Sequence, residues 1–277
     1  MSFLQAFILG LVQGLTEFLP VSSSAHLVFT QHLLGFKESL LFFDVVVHLG
    51  TLTALFIYFS TDIAHILRDS IYGMSYIFRR KPLNEIFEIA PHSRWAFGVL
   101  IACIPTGLMG FLFRDWFEQL FGSLHAVSTA LLVNSVILWS TNYYQKGEKG
   151  IEKASWLDFL VIGTLQGVAI IPGISRSGTT IAAGLLLGLR REEAFRFSFL
   201  LAIPAILGAG VLELRHGLGT WEGQWVGLST GFLVAAFFGY ISIFVLSGIM
   251  KKGKLHVFGF YTLLLGLVIL TSFLRLE

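Results

Sequence analysis

The chain has 277 residues, of which 55% are hydrophobic and only 13% are charged, and its formal net charge is +2. Because soluble domains carry about a quarter charged residues, this composition excludes an ordinary water-facing surface and requires lipid to cover most of the protein. The small net charge gives no sign of a nucleic-acid partner, and the single cysteine, Cys103, excludes an intramolecular disulfide.

Eight apolar stretches follow one another along the chain, and two of them are interrupted. A helix needs about 20 apolar residues to cross a bilayer, and six stretches meet that length without interruption. The other two contain residues 20–24 and 172–178, which indicate polar breaks between two short helices. The predicted order is a broken stretch at about 3–35, spans at about 42–59, 95–113 and 124–144, a second broken stretch at about 157–189, and spans at about 195–213, 226–247 and 256–274.

The two broken stretches are copies of each other. Residues 10–14 recur as 163–167 with a glutamine at the same place, and the serines at 22–24 recur in part at 175–177. Since a polar break in lipid must be buried or line a wet cavity, we expect each stretch to be a re-entrant hairpin that returns to its own side. Three spans follow each hairpin, so the second copy must be inverted. The sequence therefore predicts an all-α polytopic membrane protein with six transmembrane helices and two re-entrant helical hairpins, arranged as an inverted-topology repeat.

The distribution of basic residues supports this topology. With both hairpins re-entrant, 14 of the 19 lysines and arginines fall on one side of the membrane, four fall on the other, and Arg176 lies within it. Basic loops face the cytoplasm, so both termini are predicted to be periplasmic. We expect one membrane domain over residues 1–277, with repeat 1 at 1–150 and repeat 2 at 151–277.

Gln13 and Glu17 are polar residues inside the first broken stretch. They lie four positions apart and so share one helix face. A carboxylate inside the membrane is costly unless it is paired or hydrated. One interpretation is a structural ion pair between helices. We favour a functional carboxylate, because a cationic partner, Arg176, comes from the other repeat.

Hydroxyl groups precede the second short helix of each broken stretch. Ser22, Ser23 and Ser24 stand before the first, and Ser177 and Thr180 stand at the start of the second. One serine is enough to cap a helix, so three in a row indicate more than capping. Two helix N-termini that approach from opposite faces would present free N–H groups and positive dipole ends, which favour phosphate.

Arg176 and His26 add a cation and a proton-transfer group to this predicted anion site. The planar guanidinium of Arg176 suits bidentate phosphate contact. A lone histidine is more often structural, but His26 follows the three serines and is close in sequence to Glu17, so we favour a catalytic role as general base or acid. Asp44 and His48 in the first span are weaker candidates: Asp44 as an interfacial residue, His48 as a cavity-lining one.

From the residues alone, two function classes fit an anion site inside a lipid-embedded fold. One is an enzyme that hydrolyses a phosphoester or phosphoanhydride carried on a lipid. The other is a transporter of a phosphorylated or anionic substrate, because inverted repeats are typical of transporters. A glutamate and a histidine beside hydroxyls exceed what binding alone requires, which favours hydrolysis.

Two segments closely resemble the signatures of the undecaprenyl-pyrophosphate phosphatase family, known for bacitracin resistance: residues 13–27, QGLTEFLPVSSSAHL, and residues 172–180, PGISRSGTT. The resemblance covers essentially the whole chain. It implies a bacterial inner-membrane enzyme that hydrolyses undecaprenyl diphosphate to undecaprenyl phosphate and inorganic phosphate, and so recycles the lipid carrier of peptidoglycan synthesis. It also implies a site open to the periplasm and a divalent cation, Mg²⁺ or Ca²⁺. A flippase of a phosphorylated lipid is the alternative, and a homodimer stays open.

The resemblance assigns roles to residues by their position in the two motifs. It implies catalytic roles for Glu17, Ser23, His26 and Arg176, and Glu17 is also the expected cation ligand. The substrate-binding residues that it implies are Gln13, Ser22, Ser24, Ser175, Ser177 and Thr180. Many members of the family have an acid at the position of Gln13, so Glu17 is expected to bear the carboxylate role alone. The attacking group stays open between Ser23, water and His26.

Overall fold

The computed structural model describes residues 1–36, 40–78, 81–144, 147–217 and 225–273, and this part of the chain is almost entirely helical. Its helices are α1 (Phe3–Thr16), α2 (Ser23–Leu33), α3 (Leu41–Tyr58), α4 (Ser60–Phe78), α5 (Leu83–Ile89), α6 (Ser93–Leu112), α7 (Arg114–Phe121), α8 (Leu124–Ser140), α9 (Trp156–Val168), α10 (Arg176–Leu186), α11 (Arg191–Gly217), α12 (Trp225–Lys251) and α13 (Val257–Phe273).

Each predicted apolar stretch is found as helix, and the two interrupted ones are broken where the sequence indicated. The first break, residues 17–22, separates α1 from α2, and the second break, residues 169–175, separates α9 from α10. By length and composition, α6, α8, α11 and α12 can cross a membrane, and α3 with α4, bent by 76°, adds a fifth candidate; α1, α9 and α13 are apolar but shorter. The all-helical, multi-pass character is therefore confirmed.

The two breaks begin and end in the same way because the sequence repeats its capping residues. Serines cap the first short helix of each pair in a capping box, Ser2 for α1 and Ser155 for α9. Serines also cap the second short helix, where Ser22 Oγ accepts a hydrogen bond from Ala25 N and Ser175 Oγ accepts one from Gly178 N. A serine oxygen replaces the carbonyl that the first turn of a helix lacks, so it stops the preceding chain from continuing as helix.

The short helices α1 and α9 pack closely on long helices because their contact residues are glycines. α1 lies against α12, where a Cβ on Gly10 would come within 2.7 Å of the Gly231 carbonyl oxygen. α9 lies against α6, where a Cβ on Gly163 would overlap the backbone of Ala102. Small residues four apart allow such close approach of helices in membranes, where apolar burial alone does not hold helices together.

Hydroxyl groups lock the same two contacts. Ser242 Oγ in α12 donates to the carbonyl of Gly14 at 2.9 Å, and Thr106 Oγ1 in α6 donates to the carbonyl of Gly163 at 2.7 Å. Each bond joins a short broken helix to a long apolar one. The contacts with α12 and α6 therefore fix the position and rotation of α1 and α9, the short helices that lead into the two breaks.

Buried aromatic rings lie beside the breaks. Phe18 meets Phe199 edge to face at 5.5 Å between centroids, and Phe199 also contacts Phe59 and Phe195. All four rings are almost completely buried. They form a solid apolar layer next to the polar residues of the first break, which removes water from that side and strengthens electrostatic interactions there.

Gly10→Ala tests the close contact between α1 and α12. The added methyl must displace the backbone of Gly231, and we expect the protein to lose about 1–3 kcal/mol of stability. Gly208→Ala in α11 is the matched control, because nothing lies within 4 Å of its Cβ position. Removing a helical glycine there leaves stability unchanged or raises it by about 0.5–1 kcal/mol. Thermal unfolding in detergent measures both, and equal unfolding temperatures for the two variants contradict the packing assignment.

Candidate active site

The first and second breaks touch each other. Ser22 Oγ accepts a hydrogen bond from the backbone N–H of Gly173 at 3.1 Å, and Ser177 Oγ donates to the carbonyl of Leu19 at 3.4 Å. These bonds bring the N-terminal ends of α2 and α10 together in the interior of the protein. Residues more than 150 positions apart in sequence therefore become neighbours.

A salt bridge between Glu17 and Arg176 lies at this junction. Arg176 Nη2 donates to Glu17 Oε1 at 2.5 Å, and the Glu17 side chain is 6% exposed. The second carboxylate oxygen, Oε2, accepts from Gln13 Nε2 at 2.9 Å and from Ser23 Oγ at 2.5 Å. The structure thus brings together four of the residues that the sequence singled out, and Gln13 and Glu17 share a face as expected.

These contacts explain how a carboxylate persists in an apolar interior. Burial of a lone ion is strongly unfavourable, and only a close counter-charge with further hydrogen bonds offsets it. Glu17 has both: the guanidinium on one oxygen and two neutral donors on the other. Arg176 has five N–H donors and uses one on Glu17 and one, at 3.4 Å, on the carbonyl of Ala202. Its remaining donors can meet an anion.

Ser22 has an unusual backbone conformation that sets the direction of α2. Its φ of +67° is the one positive value among the non-glycine residues of the described ranges. Such a residue costs about 1–3 kcal/mol and persists only where its surroundings hold it. Ser22 Oγ contacts Gly173 N, Ser24 Oγ and Ala25 N, which fix it from both breaks. Ser23, the next residue, therefore begins α2 with its hydroxyl on Glu17.

α10 begins after a serine cap as α2 does, but its first residue is Arg176, where α2 has Ser23. Ser175 caps the helix and shares a hydrogen bond with Ser177 at 3.2 Å. Thr180 Oγ1 bonds to the carbonyl of Arg176 and to Ser198 Oγ of α11, so this hydroxyl is used within the fold. First-turn N–H groups of α2 and α10 lack intrahelical acceptors, and together they make the junction attractive to an anion.

His26 lies near the serines but does not contact Glu17. Its Nδ1 donates to the carbonyl of Ser22 at 2.7 Å, and its Nε2 lies 2.7 Å from the hydroxyl of Tyr261, whose ring stacks on the imidazole. Both ring nitrogens are therefore occupied. Neither of these partners is Glu17, and a proton-transfer role for His26 stays a prediction.

His48 is the histidine that approaches the carboxylate. Its Nε2 lies 3.6 Å from Glu17 Oε2, and its Nδ1 donates to the carbonyl of Asp44 at 2.6 Å. Asp44 Oδ1 accepts from Gln31 Nε2 at 2.7 Å, so it is held inside the protein. His48 therefore lies beside the Glu17 carboxylate, and Asp44 is partly buried. A cavity-lining role for His48 and an interfacial place for Asp44 stay predictions. Asp44 and His48 are four positions apart in the sequence, which places them on one face of α3.

Asn134 and Tyr261 are two further polar residues at the junction that sequence reasoning did not single out. Asn134 bonds to both breaks, and Tyr261 bonds to His26. Each lies in a mostly apolar helix, and a polar side chain of this size inside a membrane helix was the available signal.

The site offers oxygen ligands to a divalent cation but no complete cage. Within the described ranges, no group of three His, Cys, Asp or Glu side chains could hold a metal ion. Gln13 Oε1, however, is buried beside Glu17 and finds no hydrogen-bond partner among the described residues. Carbonyl and carboxylate oxygens are the ligands that Mg²⁺ and Ca²⁺ prefer, so these two residues fit a cation that also takes ligands from its substrate.

The chain matches the protein family described as bacitracin resistance protein BacA over residues 6–268. It is also similar over nearly its whole length to proteins named undecaprenyl-diphosphatase. The one from Carboxydothermus hydrogenoformans is 41% identical, covering 98% of this chain and 97% of its own. The one from Methanobrevibacter smithii is 42% identical, covering 97% of each chain. The one from Methanosphaera stadtmanae is 40% identical, covering 96% of each.

Proposed function

The chain belongs to the bacitracin resistance protein family, and we propose that it is an undecaprenyl-diphosphatase that uses the junction of its two breaks as the active site. It is a membrane hydrolase that converts undecaprenyl diphosphate to undecaprenyl phosphate and inorganic phosphate. This reaction recycles the lipid carrier of peptidoglycan synthesis and fits bacitracin resistance. The observation that carries the proposal is the Glu17 carboxylate, which holds Arg176 and Ser23 at one point inside an apolar protein.

Arg176 and the two helix ends form the clamp for the diphosphate. The guanidinium and the first-turn N–H groups supply fixed donors, which stabilise charge on the phosphoryl oxygens as the terminal group is transferred. Because the donors are held in place before the substrate arrives, little reorganisation is needed during the reaction. The isoprenoid tail lies in lipid, next to the exposed apolar side chains on the outside of the protein.

Ser23 is the group best placed to attack. Its hydroxyl donates to Glu17 Oε2, so the carboxylate can take the proton as the oxygen forms its bond to the terminal phosphorus. The bond to the bridging oxygen breaks, and undecaprenyl phosphate leaves with the electron pair. Water then attacks the phosphorus of the phosphoserine, the bond between Ser23 Oγ and phosphorus breaks, and inorganic phosphate leaves while the serine oxygen regains a proton. His26 and His48 are the nearby groups that carry protons to and from water.

The remaining polar residues of the junction are proposed to bind the substrate. Ser22 and Ser175 cap the two helices and keep their N–H groups directed at one point. Further hydroxyl and amide groups border the same junction, namely Ser24, Ser177, Thr180 and Gln13. Thr180 acts through α11, because its hydroxyl bonds to Ser198.

A divalent cation, Mg²⁺ or Ca²⁺, is proposed to be held by Glu17 and by Gln13 Oε1, with the diphosphate providing further oxygens. When bound, the cation supplies positive charge that offsets the negative charge of the substrate. Gln13 binds as a neutral ligand, so one carboxylate and one guanidinium already balance each other before the cation and the substrate arrive.

We further propose that the fold is an inverted repeat within one membrane domain, with six spans and two re-entrant hairpins. The helix contacts support it, because pairing α1 with α9, α3 with α11, α6 with α12 and α8 with α13 relates one set of contacts to the other. The contact of α1 with α12 corresponds to that of α9 with α6, and the contact of α3 with α12 corresponds to that of α11 with α6. The repeats are 1–150 and 151–277.

The proposed orientation places both termini on the periplasmic side of a bacterial inner membrane, with the site open to that side. Transport of a phosphorylated lipid is not favoured, because the similar proteins are named as diphosphatases. The question of a homodimer stays open. The charge asymmetry of the loops remains the main support for the orientation.

Single cysteines test the orientation in a Cys103→Ser background. On intact cells, a membrane-impermeant maleimide is expected to label Ser2→Cys and Trp116→Cys but not Tyr143→Cys, because the first two lie on the proposed periplasmic side. Ser2 decides the hairpin, since a first break that crossed the membrane would put it on the same side as Tyr143. Labelling after permeabilisation controls for accessibility, and an unlabelled Ser2→Cys on intact cells contradicts the re-entrant hairpin.

Phosphate release tests the activity. The purified protein in detergent is expected to release one inorganic phosphate per undecaprenyl diphosphate, and Arg176→Lys to lower kcat by about 100-fold or more. A lysine keeps the charge, but it lacks the planar guanidinium whose N–H groups can bind Glu17 and a phosphoryl group at the same time. His32→Ala, an exposed change at the end of α2, serves as control and keeps normal turnover. Turnover of Arg176→Lys within about threefold of the unchanged protein contradicts the clamp.

Trapping of a covalent intermediate tests the nucleophile. Rapid acid quenching of the protein with a diphosphate substrate labelled in its terminal phosphate is expected to yield a labelled phosphoserine at Ser23. Ser23→Ala is expected to remove both the label and nearly all turnover, because no other hydroxyl donates to Glu17 within the described ranges. A label that persists in Ser23→Ala, or full turnover without it, assigns the attack to another group.

A further inference from the structure

Asn134 is a buried amide that joins the two breaks. It lies in α8 and is completely buried. Its Nδ2 donates to the carbonyl of Pro20 at 3.2 Å, and its Oδ1 accepts from the backbone N–H of Ser175 at 2.9 Å. Pro20 belongs to the first break, three residues before Ser23, and Ser175 is the residue before Arg176. One side chain therefore holds the backbone next to both reactive groups.

The backbone groups of the two breaks need both a hydrogen-bond donor and a hydrogen-bond acceptor here, and an amide side chain provides both. A broken helix leaves backbone groups without intrahelical partners, and a buried group without a partner is costly. The Pro20 carbonyl needs a donor and the Ser175 N–H needs an acceptor. Asparagine provides one of each at a fixed separation without carrying charge. An aliphatic residue of the same size provides neither.

The other polar residues of α8 behave differently. Ser128 Oγ donates to the carbonyl of His125 and Ser135 Oγ donates to that of Leu132, both within α8 itself. Those bonds add nothing between helices. Asn134 alone among these three uses its polar atoms across the protein, and it does so towards both breaks at once.

Building on the proposed diphosphatase function, we propose that Asn134 is a positioning residue: its amide sets the spacing of the α2 and α10 N-termini, so that Ser23 and Arg176 address the same phosphoryl group. Asn134 does not touch the substrate. Ser22 and Gly173 form a second bond between the breaks, so loss of Asn134 shifts the junction without separating it. Displacement of reacting groups by about 1 Å can cost about 100-fold in rate.

Asn134→Leu tests the inference, with Ser135→Ala as matched control, since Ser135 is the adjacent residue and equally buried. Steady-state phosphate release from undecaprenyl diphosphate is measured with both variants. For Asn134→Leu we expect kcat to fall by about 10- to 100-fold while KM changes by less than about threefold. Ser135→Ala keeps kcat. Inhibition by orthovanadate, which takes up the geometry of the phosphoryl transition state, should weaken in Asn134→Leu by the same factor as kcat.

A purely structural role gives a different result. It lowers the unfolding temperature of Asn134→Leu but leaves kcat of the folded fraction and orthovanadate inhibition unchanged, and that outcome overturns the inference. Asn134→Ala, which removes the amide without adding a clash, repeats the test. If neither variant folds, Asn134 is structural and the inference is wrong. If the unchanged protein releases no phosphate, the proposed function fails instead, so the two failures are distinguishable.

Discussion

The buried ion pair of Glu17 with Arg176 is the interaction on which the rest of the site depends. Neither charge could stay alone in an apolar interior, so each requires the other, and together they require the two breaks to meet. Hydrogen bonds from Gln13 and Ser23 complete the environment of the carboxylate. The pair is neutral as a whole, and the guanidinium has further N–H donors beyond the one that binds Glu17, which is why we propose it as the clamp for the diphosphate.

The two copies of the broken motif have the same order of helix, break and helix, but their side chains at the junction differ in charge and in functional group. Ser23 and Arg176 occupy the same position, the first residue of the helix that follows each break. Glu17 lies three residues after Gly14, and the residue three after Gly167 is Ile170. One copy therefore contributes the carboxylate and the hydroxyl, and the other contributes the cation. Two equal copies could not form this site, because equal charges would meet at the junction.

Several polar side chains support the interrupted helices of this protein through hydrogen bonds. Serines cap the interrupted helices, Asn134 joins the two breaks, and Ser242 and Thr106 attach the broken helices to long apolar ones. In lipid, a backbone group without a partner is so unfavourable that a broken helix persists only with such support. The same support keeps the helix N-termini fixed, and fixed donors are what phosphoryl transfer needs.

The sequence by itself determined the helical membrane class, the two breaks and most residues at their junction, because hydropathy and the repeated motif are local properties of the chain. It also identified Glu17 and Arg176 as partners, since each charge would otherwise be unpaired in lipid. Only the tertiary structure decided which neighbours complete the site. Whether His26 or His48 approaches Glu17, and whether Asn134 reaches both breaks, depends on how helices from distant parts of the chain rotate and pack. No local pattern records those rotations.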